Sequence, residues 1–550
     1  MLYLGYHFYS RFIAEKIYRL DPNFETPSHT MRDDIDYVPT NRMVLWGHHF
    51  TAVAGAAPII GPGIAIIWGW LPALIWVIVG TMFFAGVHDF GAIWASVRNN
   101  ARSVGAFSGD VVSQRARGLF MIIIFLLLVM VNAVFAVAIS DAFIATPASV
   151  IPAWAAIAIA LVIGVLFYRA HMAIVLPTII GTVAIFAFIP VGDLLPLEVP
   201  EQVLGLAPGA QWIVLLFVYA LIASLLPVWM LLQPRGYISG IMLFVGLGIM
   251  YGTVLIAHPA IVAPAFNSNM PAGAPPMVPL LFVTIACGAI SGFHGLVGSG
   301  TTSKQLDKET DARFVGYLGS TGEGALALVA IIAVSAGFAS RAEWDAVYSA
   351  FGNGGMTAFV QGGATIVAAG SPLSENFAAI LLTVMAVLFA GTTMDVGVRL
   401  QRYMIQEWGV IYKIPALQNG YVATFLAVAA CLILAFGAGG TDGTGGMIIW
   451  PLFGTTNQLL AGLTLLVISI ILVKLGRPSV YTMTPMIFVT GMAFLSALYQ
   501  LWDLYTTQRY FLVIIDLLII VAAVFVMLEA ASAFIRERRG SPRHAPTPAG

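Results

Sequence analysis

Apolar residues in this chain do not alternate with polar ones; they come in runs of about twenty, separated by short polar stretches, and the cycle repeats fourteen times. The runs lie near 43–66, 71–97, 117–140, 152–168, 172–190, 211–232, 237–257, 277–297, 317–337, 374–396, 418–436, 447–473, 483–502 and 511–535. Each has about the length that a helix needs to cross a bilayer, where every backbone polar group must be satisfied within the segment. The pattern therefore predicts an all-α, polytopic integral membrane protein of fourteen spans. Residues 1–42 read as an amphipathic N-terminal segment and linker, 43–535 as the membrane domain, and 536–550 as a basic, Pro-rich tail expected to be disordered. Met1–Tyr9 is too short to span; it is expected to lie at the interface or to be the end of a span whose start is missing.

Two runs are interrupted. The first reads Trp46-Gly-His-His-Phe-Thr-Ala-Val-Ala-Gly-Ala-Ala-Pro-Ile-Ile-Gly-Pro-Gly63 before resuming as Ile64-Ala-Ile-Ile-Trp68. Proline removes a helical hydrogen bond and clashes one turn back, and in lipid such a defect survives only against protein or a cavity. The second is Ala286-Cys-Gly-Ala-Ile-Ser-Gly-Phe-His-Gly-Leu-Val-Gly-Ser-Gly-Thr-Thr-Ser303. Broken helices of opposite direction are what an inverted repeat gives, with half-helix ends aimed at a substrate or ion near the midplane. An offset of five spans and one of seven both invert, and span six has its own break at Leu225-Leu-Pro-Val228. Kinked helices packed closely through small residues are the plainer alternative.

Charge tests the count. With the first linker placed inside, 23 of 25 basic residues fall on one side, leaving Arg341 and Arg509 outside. That asymmetry is the one expected of cytoplasmic loops and places the tail in the cytoplasm as well. The longest outside loop, 338–373, is expected to be a re-entrant hairpin, an outer lid or a plain surface loop. With 59% hydrophobic and 9% charged residues and a net charge of −1, the composition excludes a soluble domain and gives no basic face for nucleic acid. Cys287 and Cys431 lie far apart in apolar runs, which suggests neither a disulfide nor a cysteine metal site.

Ionisable residues inside spans are costly and point to function. Spans one and two read as a tight hairpin turning near Trp68, which puts His48 and His49 at the depth of His88 and Asp89. Imidazoles beside a carboxylate suit proton coupling. The alternatives are a metal or haem site, disfavoured because adjacent His residues diverge on a helix, and a structural Asp89 paired with Arg98. Glu323 and Asp395 read as relay carboxylates or ion pairs, Asp395 with Arg399 or Arg402. Thr455, Thr456, Asn457 and Gln458 form a polar patch that contacts substrate or joins helices. No Ser-His-Asp order, phosphate-binding loop or dinucleotide fingerprint is present, so an enzyme has little support.

Several segments resemble the carbon starvation protein A family: Asp36-Tyr-Val-Pro-Thr-Asn-Arg42, Gly47-His-His-Phe50, Ala54-Gly-Ala-Ala-Pro58, His88-Asp-Phe90, Leu226-Pro-Val-Trp229 with Gln233-Pro-Arg235, Cys287-Gly-Ala-Ile-Ser-Gly-Phe-His294, Ser299-Gly-Thr-Thr302, and Trp450-Pro-Leu-Phe-Gly454 with Asn457-Gln458. The resemblance covers Tyr6 to about 475. It implies a bacterial inner-membrane uptake protein with the inverted-repeat fold of the amino acid–polyamine–organocation (LeuT-like) carriers, importing peptides or pyruvate with protons during nutrient limitation. The family usually carries a full span before the position of Tyr6, and Gly319-Ser-Thr-Gly-Glu-Gly324 is more polar than the family leads one to expect.

The expectation is thus a proton-driven symporter of a small nutrient without a bound cofactor, embedded in lipid and of unknown oligomeric state. Gly55, Ala57, Pro58 and Gly61 are expected to expose backbone to the substrate, with Ser291, Gly292, His294, Thr301 and Thr302 facing them and Asn457 nearby. His48, His49, His88 and Asp89 are the coupling candidates. A sodium-coupled carrier of the same fold and a sensor or channel are the alternatives.

Overall fold

A computed structural model describes residues 1–33, 36–168, 172, 175–227, 230–439 and 445–540. The first broken span is α1 (Arg42–Ala54) and α2 (Ala57–Ala65), with a bend of 42° between the half-helices. Then follow α3 (Trp70–Val97), α4 (Gln114–Ala145), α5 (Pro147–Phe167), α6 (Val175–Leu194), α7 (Pro208–Leu225) and α8 (Leu232–Ala257). The second broken span is α9 (Met277–Thr284) and α10, a helical stretch over 292–305. After α11 (Arg313–Ala336) come two shorter helices, α12 (Arg341–Val347) and α13 (Gly355–Gly370). The chain closes with α14 (Glu375–Ile411), α15 (Gly420–Ala438), α16 (Ile448–Lys474), α17 (Val480–Thr506) and α18 (Tyr510–Arg538). All fourteen expected runs are thus represented, two of them as broken pairs.

Local chemistry sets where these helices start. Asn41 caps α1 by accepting from Met43 N at 2.9 Å, and Ser374 caps α14 by accepting from Phe377 N at 3.2 Å. Hydrophobicity then carries the helices across, and packing sorts them. α4, α14 and α16 are almost wholly buried and form the centre, while α5, α6, α15 and α18 expose apolar flanks.

Thr40 N, just before α1, donates to Gln305 O at the end of α10. The first broken span therefore starts where the second ends, and the two are antiparallel. Without the paired helices α5 and α6 and the last two helices, α17 and α18, five spans lie in each half and the broken span leads each. That arrangement is the LeuT-like inverted-repeat architecture, with the offset of seven. The break expected in span six falls at the end of α7, where Leu226 turns extended; residues 228 and 229 lie outside the described residues.

Three segments are defined more closely by the structure. The 338–373 segment is not a loop: α13 is buried against α2, α11 and α14. Tyr348, just after α12, donates its hydroxyl to Gly63 O at 2.7 Å, which ties this lid to the first broken span. The N-terminal segment is helical from residue 2 to 18 and buries Ile13, Ala14, Ile17 and Tyr18 in the bundle. Finally, the last helix continues to Gly540, past the expected start of the tail at 536, while 541–550 lie outside the described residues.

Candidate functional site

Each break leaves backbone groups without helical partners, and the surrounding side chains supply them. In the first break Gly55 has φ +51°, and a Cβ there would lie 2.7 Å from Thr393 Oγ1 and 2.9 Å from Phe135, so only glycine fits. In the second, Trp76 Nε1 donates to Ile285 O at 3.3 Å, Thr81 Oγ1 to Gly288 O at 2.9 Å, and Gln458 Nε2 to Ile290 O at 3.2 Å and Phe282 O at 3.1 Å. Asn457 Oδ1 accepts from Phe293 N at 2.9 Å, capping the start of α10, while its Nδ2 donates to Ser291 Oγ at 3.0 Å. The polar patch of α16 therefore joins helices by holding the broken span in shape.

The two breaks touch. A Cβ on Gly61 would stand 2.5 Å from Thr284 O, and one on Gly288 would stand 3.7 Å from Pro58. Ala57, Pro58 and Gly61 are buried at the start of α2, as the sequence expects of a half-helix facing its counterpart. Ser291 and Gly292 face elsewhere: both turn to α16, where a Cβ on Gly292 would meet Asn457 O at 2.4 Å.

Beside the second break lies a chain of buried ionisable groups. His88 Nδ1 is 2.7 Å from Asp89 Oδ1, Asp89 Oδ2 is 2.8 Å from His294 Nδ1, and His294 Nε2 is 3.1 Å from Glu323 Oε1. All four side chains are buried. They come from α3, α10 and α11, so the chain links the first repeat to the second. Sequence reasoning singles out all four residues but couples only His88 with Asp89, and places His294 with the substrate.

The His pair of α1 splits as adjacent helical residues must. His49 Nδ1 is 2.8 Å from Thr302 Oγ1, joining the two broken spans. His48 leaves the cluster: it lies against Gly236 of α8, and its Nδ1 has no partner among the described residues. The expected convergence of His48 with His88 and Asp89 is corrected accordingly. Asp89 does not pair with Arg98, which holds Glu309 at 2.5 and 2.8 Å. Asp395 is an ion pair, but its partner is Arg235 of α8, with Tyr219 completing the group. Arg399 and Arg402 instead donate to the carbonyls of Ala223, Leu226 and Ser224 at the end of α7.

Cys287, His294 and Glu323 offer three donor atoms within 4.8 Å of one another, the geometry of a partial metal site. Their own hydrogen bonds already occupy it, since both ring nitrogens of His294 face carboxylates and the Cys287 thiol lies 3.4 Å from Ser291 Oγ.

Two adjoining cavities share Gly300, Lys304 and Tyr403 and lie toward the face that carries the basic residues. The smaller reaches His48 and Thr301, each one residue from the His49–Thr302 hydrogen bond. On the opposite face a cavity is lined by Ala142, Thr146, Met356, Gln361 and Thr383, and by none of the expected site residues.

The sequence matches a known family. The profile of carbon starvation protein CstA matches residues 1–346 and 339–496. The chain belongs to the CstA family. Among its relatives, the peptide transporter CstA of Campylobacter jejuni is 33% identical over 88% of this chain and 77% of that protein. The peptide transporter CstA of Mycobacterium tuberculosis H37Rv is 34% identical over 86% and 70%. The pyruvate/proton symporter BtsT of Escherichia coli K12 is 30% identical over 86% and 76%. Among solved structures, an Eremococcus coleocola manganese transporter bound to an aromatic bis-isothiourea compound aligns with a TM-score of 0.52. It covers 92% of this chain and 99% of that one at 13% identity, a likeness of fold alone. As a CstA-family member this chain is a multi-pass membrane protein with a transporter fold.

Proposed function

We propose that this chain is a proton-coupled symporter that imports a small carboxylate-bearing nutrient, pyruvate or a short peptide, by alternating access during nutrient limitation. The observation that carries the reading is the position of His294 between two carboxylates. Both of its ring nitrogens face carboxylate oxygens, Asp89 at 2.8 Å and Glu323 at 3.1 Å. A neutral ring has one N–H, so two hydrogen bonds require one more proton, either on the ring or on a carboxyl group. Losing that proton leaves a lone pair opposed to a carboxylate inside a buried site, where an unmet contact is costly. The group therefore favours one arrangement when protonated and another when not, and the arrangement belongs to the contact between α3, α10 and α11.

The substrate would lie at the touching breaks, where a carboxylate is favoured by the half-helix N-terminus at Ala57. The face rich in Arg and Lys is read as cytoplasmic and the membrane as a bacterial inner membrane. In that orientation the cavity that reaches His48 of α1 and Thr301 of α10 lies on the cytoplasmic side. The relatives named as peptide transporters and as a pyruvate/proton symporter support both substrates.

The test is uptake of labelled pyruvate and of labelled dialanine into proteoliposomes, with and without an inward proton gradient, for the wild type and Asp89→Asn. Sodium-independent, gradient-driven accumulation of one substrate, reduced in the variant to exchange, is expected. Flux that only equilibrates, or that follows a sodium gradient, would overturn proton symport.

A further inference from the structure

Lys304 is the cation shared by the two cavities on the basic face. It lies in α10's last turn, three residues beyond Thr301, and its surroundings leave it weakly held. The Asp36 carboxylate is 4.0 Å from Nζ, at the limit of an ion pair, and both side chains are partly exposed. Such a pair contributes little. The other neighbours are the rings of Tyr37 and Tyr403, 5.3 and 5.6 Å from Nζ. The remaining basic groups of the cavities are engaged: Arg102 donates to Asp110 at 2.7 Å and Arg399 to two carbonyls of α7. His48 lines the same cavity with its Nδ1 unpartnered among the described residues.

The backbone that carries Asp36 is held in place. Asp33 Oδ1 accepts from the backbone of Asp36 and Tyr37 at 2.9 and 2.8 Å, fixing a turn. On either side of this turn the linker is tied to the chain after α10: Ser28 Oγ donates to Leu306 O at 2.8 Å, His29 meets Asp307 at 2.8 Å, and Thr40 N donates to Gln305 O at 3.0 Å. The linker thus holds a carboxylate against the ammonium at a distance that a better-placed carboxylate can undercut.

We propose that Lys304, helped by His48, receives the carboxylate of the substrate in the inner cavity, and that Asp36 is a built-in competitor that takes Lys304 back and so speeds release. A charge-assisted N–H···O contact forms at about 2.8 Å, well inside the present Lys304–Asp36 separation. Binding at this site then follows the charge of the substrate rather than its bulk. This inference rests on the proposal of a carboxylate substrate and assigns the step after the breaks have released it.

The experiment uses full-length protein reconstituted with known sidedness, and reads half-saturation for labelled pyruvate separately from the basic face and the opposite face. K304Q should raise half-saturation at the basic face about tenfold, the loss of one charge-assisted contact, and leave the opposite face unchanged; K304R should restore it. D36N should lower it at the basic face and slow release there. In parallel, amine acylation of Lys304 is followed by mass spectrometry with pyruvate, dialanine or methyl pyruvate present. Protection by the two carboxylates but not by the ester is expected, and this readout needs no transport. If neither solute is carried yet pyruvate still protects Lys304, the site stands and the proposed transport falls. Equal protection by the ester, no protection at all, or shifts of K304Q and D36N in the same direction would overturn the site.

Discussion

Asp89 and His294, 205 residues apart, meet at 2.8 Å and tie the hairpin partner of the first broken span to the second half of the other. One hydrogen bond therefore spans the two repeats. It has a carboxylate beyond it, Glu323, and an imidazole before it, His88.

Glu323 is the end of that chain, and its removal should uncouple rather than unfold. Glu323→Gln keeps the shape and offers an amide to His294 Nε2, so the ring no longer needs the extra proton. Exchange of labelled substrate should persist, while accumulation under a proton gradient should be lost and the pH dependence of exchange should flatten. Parallel measurement of counterflow and gradient-driven uptake between pH 5 and 8, the range in which imidazoles ordinarily titrate, checks this. Retained accumulation would remove Glu323 from the coupling group.

The second break depends on α16. Asn457→Ala removes the cap on Phe293 N and the bond to Ser291, leaving a buried N–H unmet at a cost of about 1–3 kcal/mol. Gln458→Leu leaves the carbonyls of Phe282 and Ile290 unmet and should cost a similar amount. Thermal unfolding in detergent should show both variants melting below the wild type, with Thr456→Ala close to it, because among the described residues Thr456 bonds only back to Leu452 of its own helix.

Close approach at the first break makes a sharp contrast between two glycines of one run. Gly61→Ala places a methyl group 2.5 Å from Thr284 O, whereas a Cβ on Gly47 has nothing within 4 Å. Gly61→Ala should abolish or severely slow uptake at near-normal expression, and Gly47→Ala should behave as wild type. Comparable uptake by the two would show that the half-helices do not need their present contact.

The ion pair of Arg235 and Asp395 is buried, and Tyr219 bonds to both. Replacing one partner, as in Asp395→Leu, leaves an uncompensated charge and should destabilise by about 3–5 kcal/mol. The double variant Arg235→Met, Asp395→Leu should recover much of that loss. A double-mutant cycle on melting temperature measures the coupling, and additive losses would argue against a direct pair.

What the sequence determined by itself is what the bilayer demands of contiguous residues. Uninterrupted apolar runs, the side chosen by Arg and Lys, and the two places where Pro and Gly forbid a continuous helix are local facts, readable in order. The depth match of His88-Asp89 with the α1 histidines also follows from rise per residue, but depth is not contact. Whether His48 or His49 faces the second break depends on the rotation of α1 about its axis, which is set by packing against α8 and α10; the structure gives His49 to Thr302 and His48 to the cavity wall. The same holds for Asp395, whose sequence neighbours Arg399 and Arg402 lie one and two turns along its own helix yet satisfy the carbonyls of α7, leaving Arg235 to approach from α8. The pairing of the first with the eighth span, and the joining of Asp89, His294 and Glu323, were decided only by tertiary structure. Helix formation within a membrane is governed by each segment's own hydrogen bonds, whereas which buried polar groups meet is fixed by how the finished helices pack.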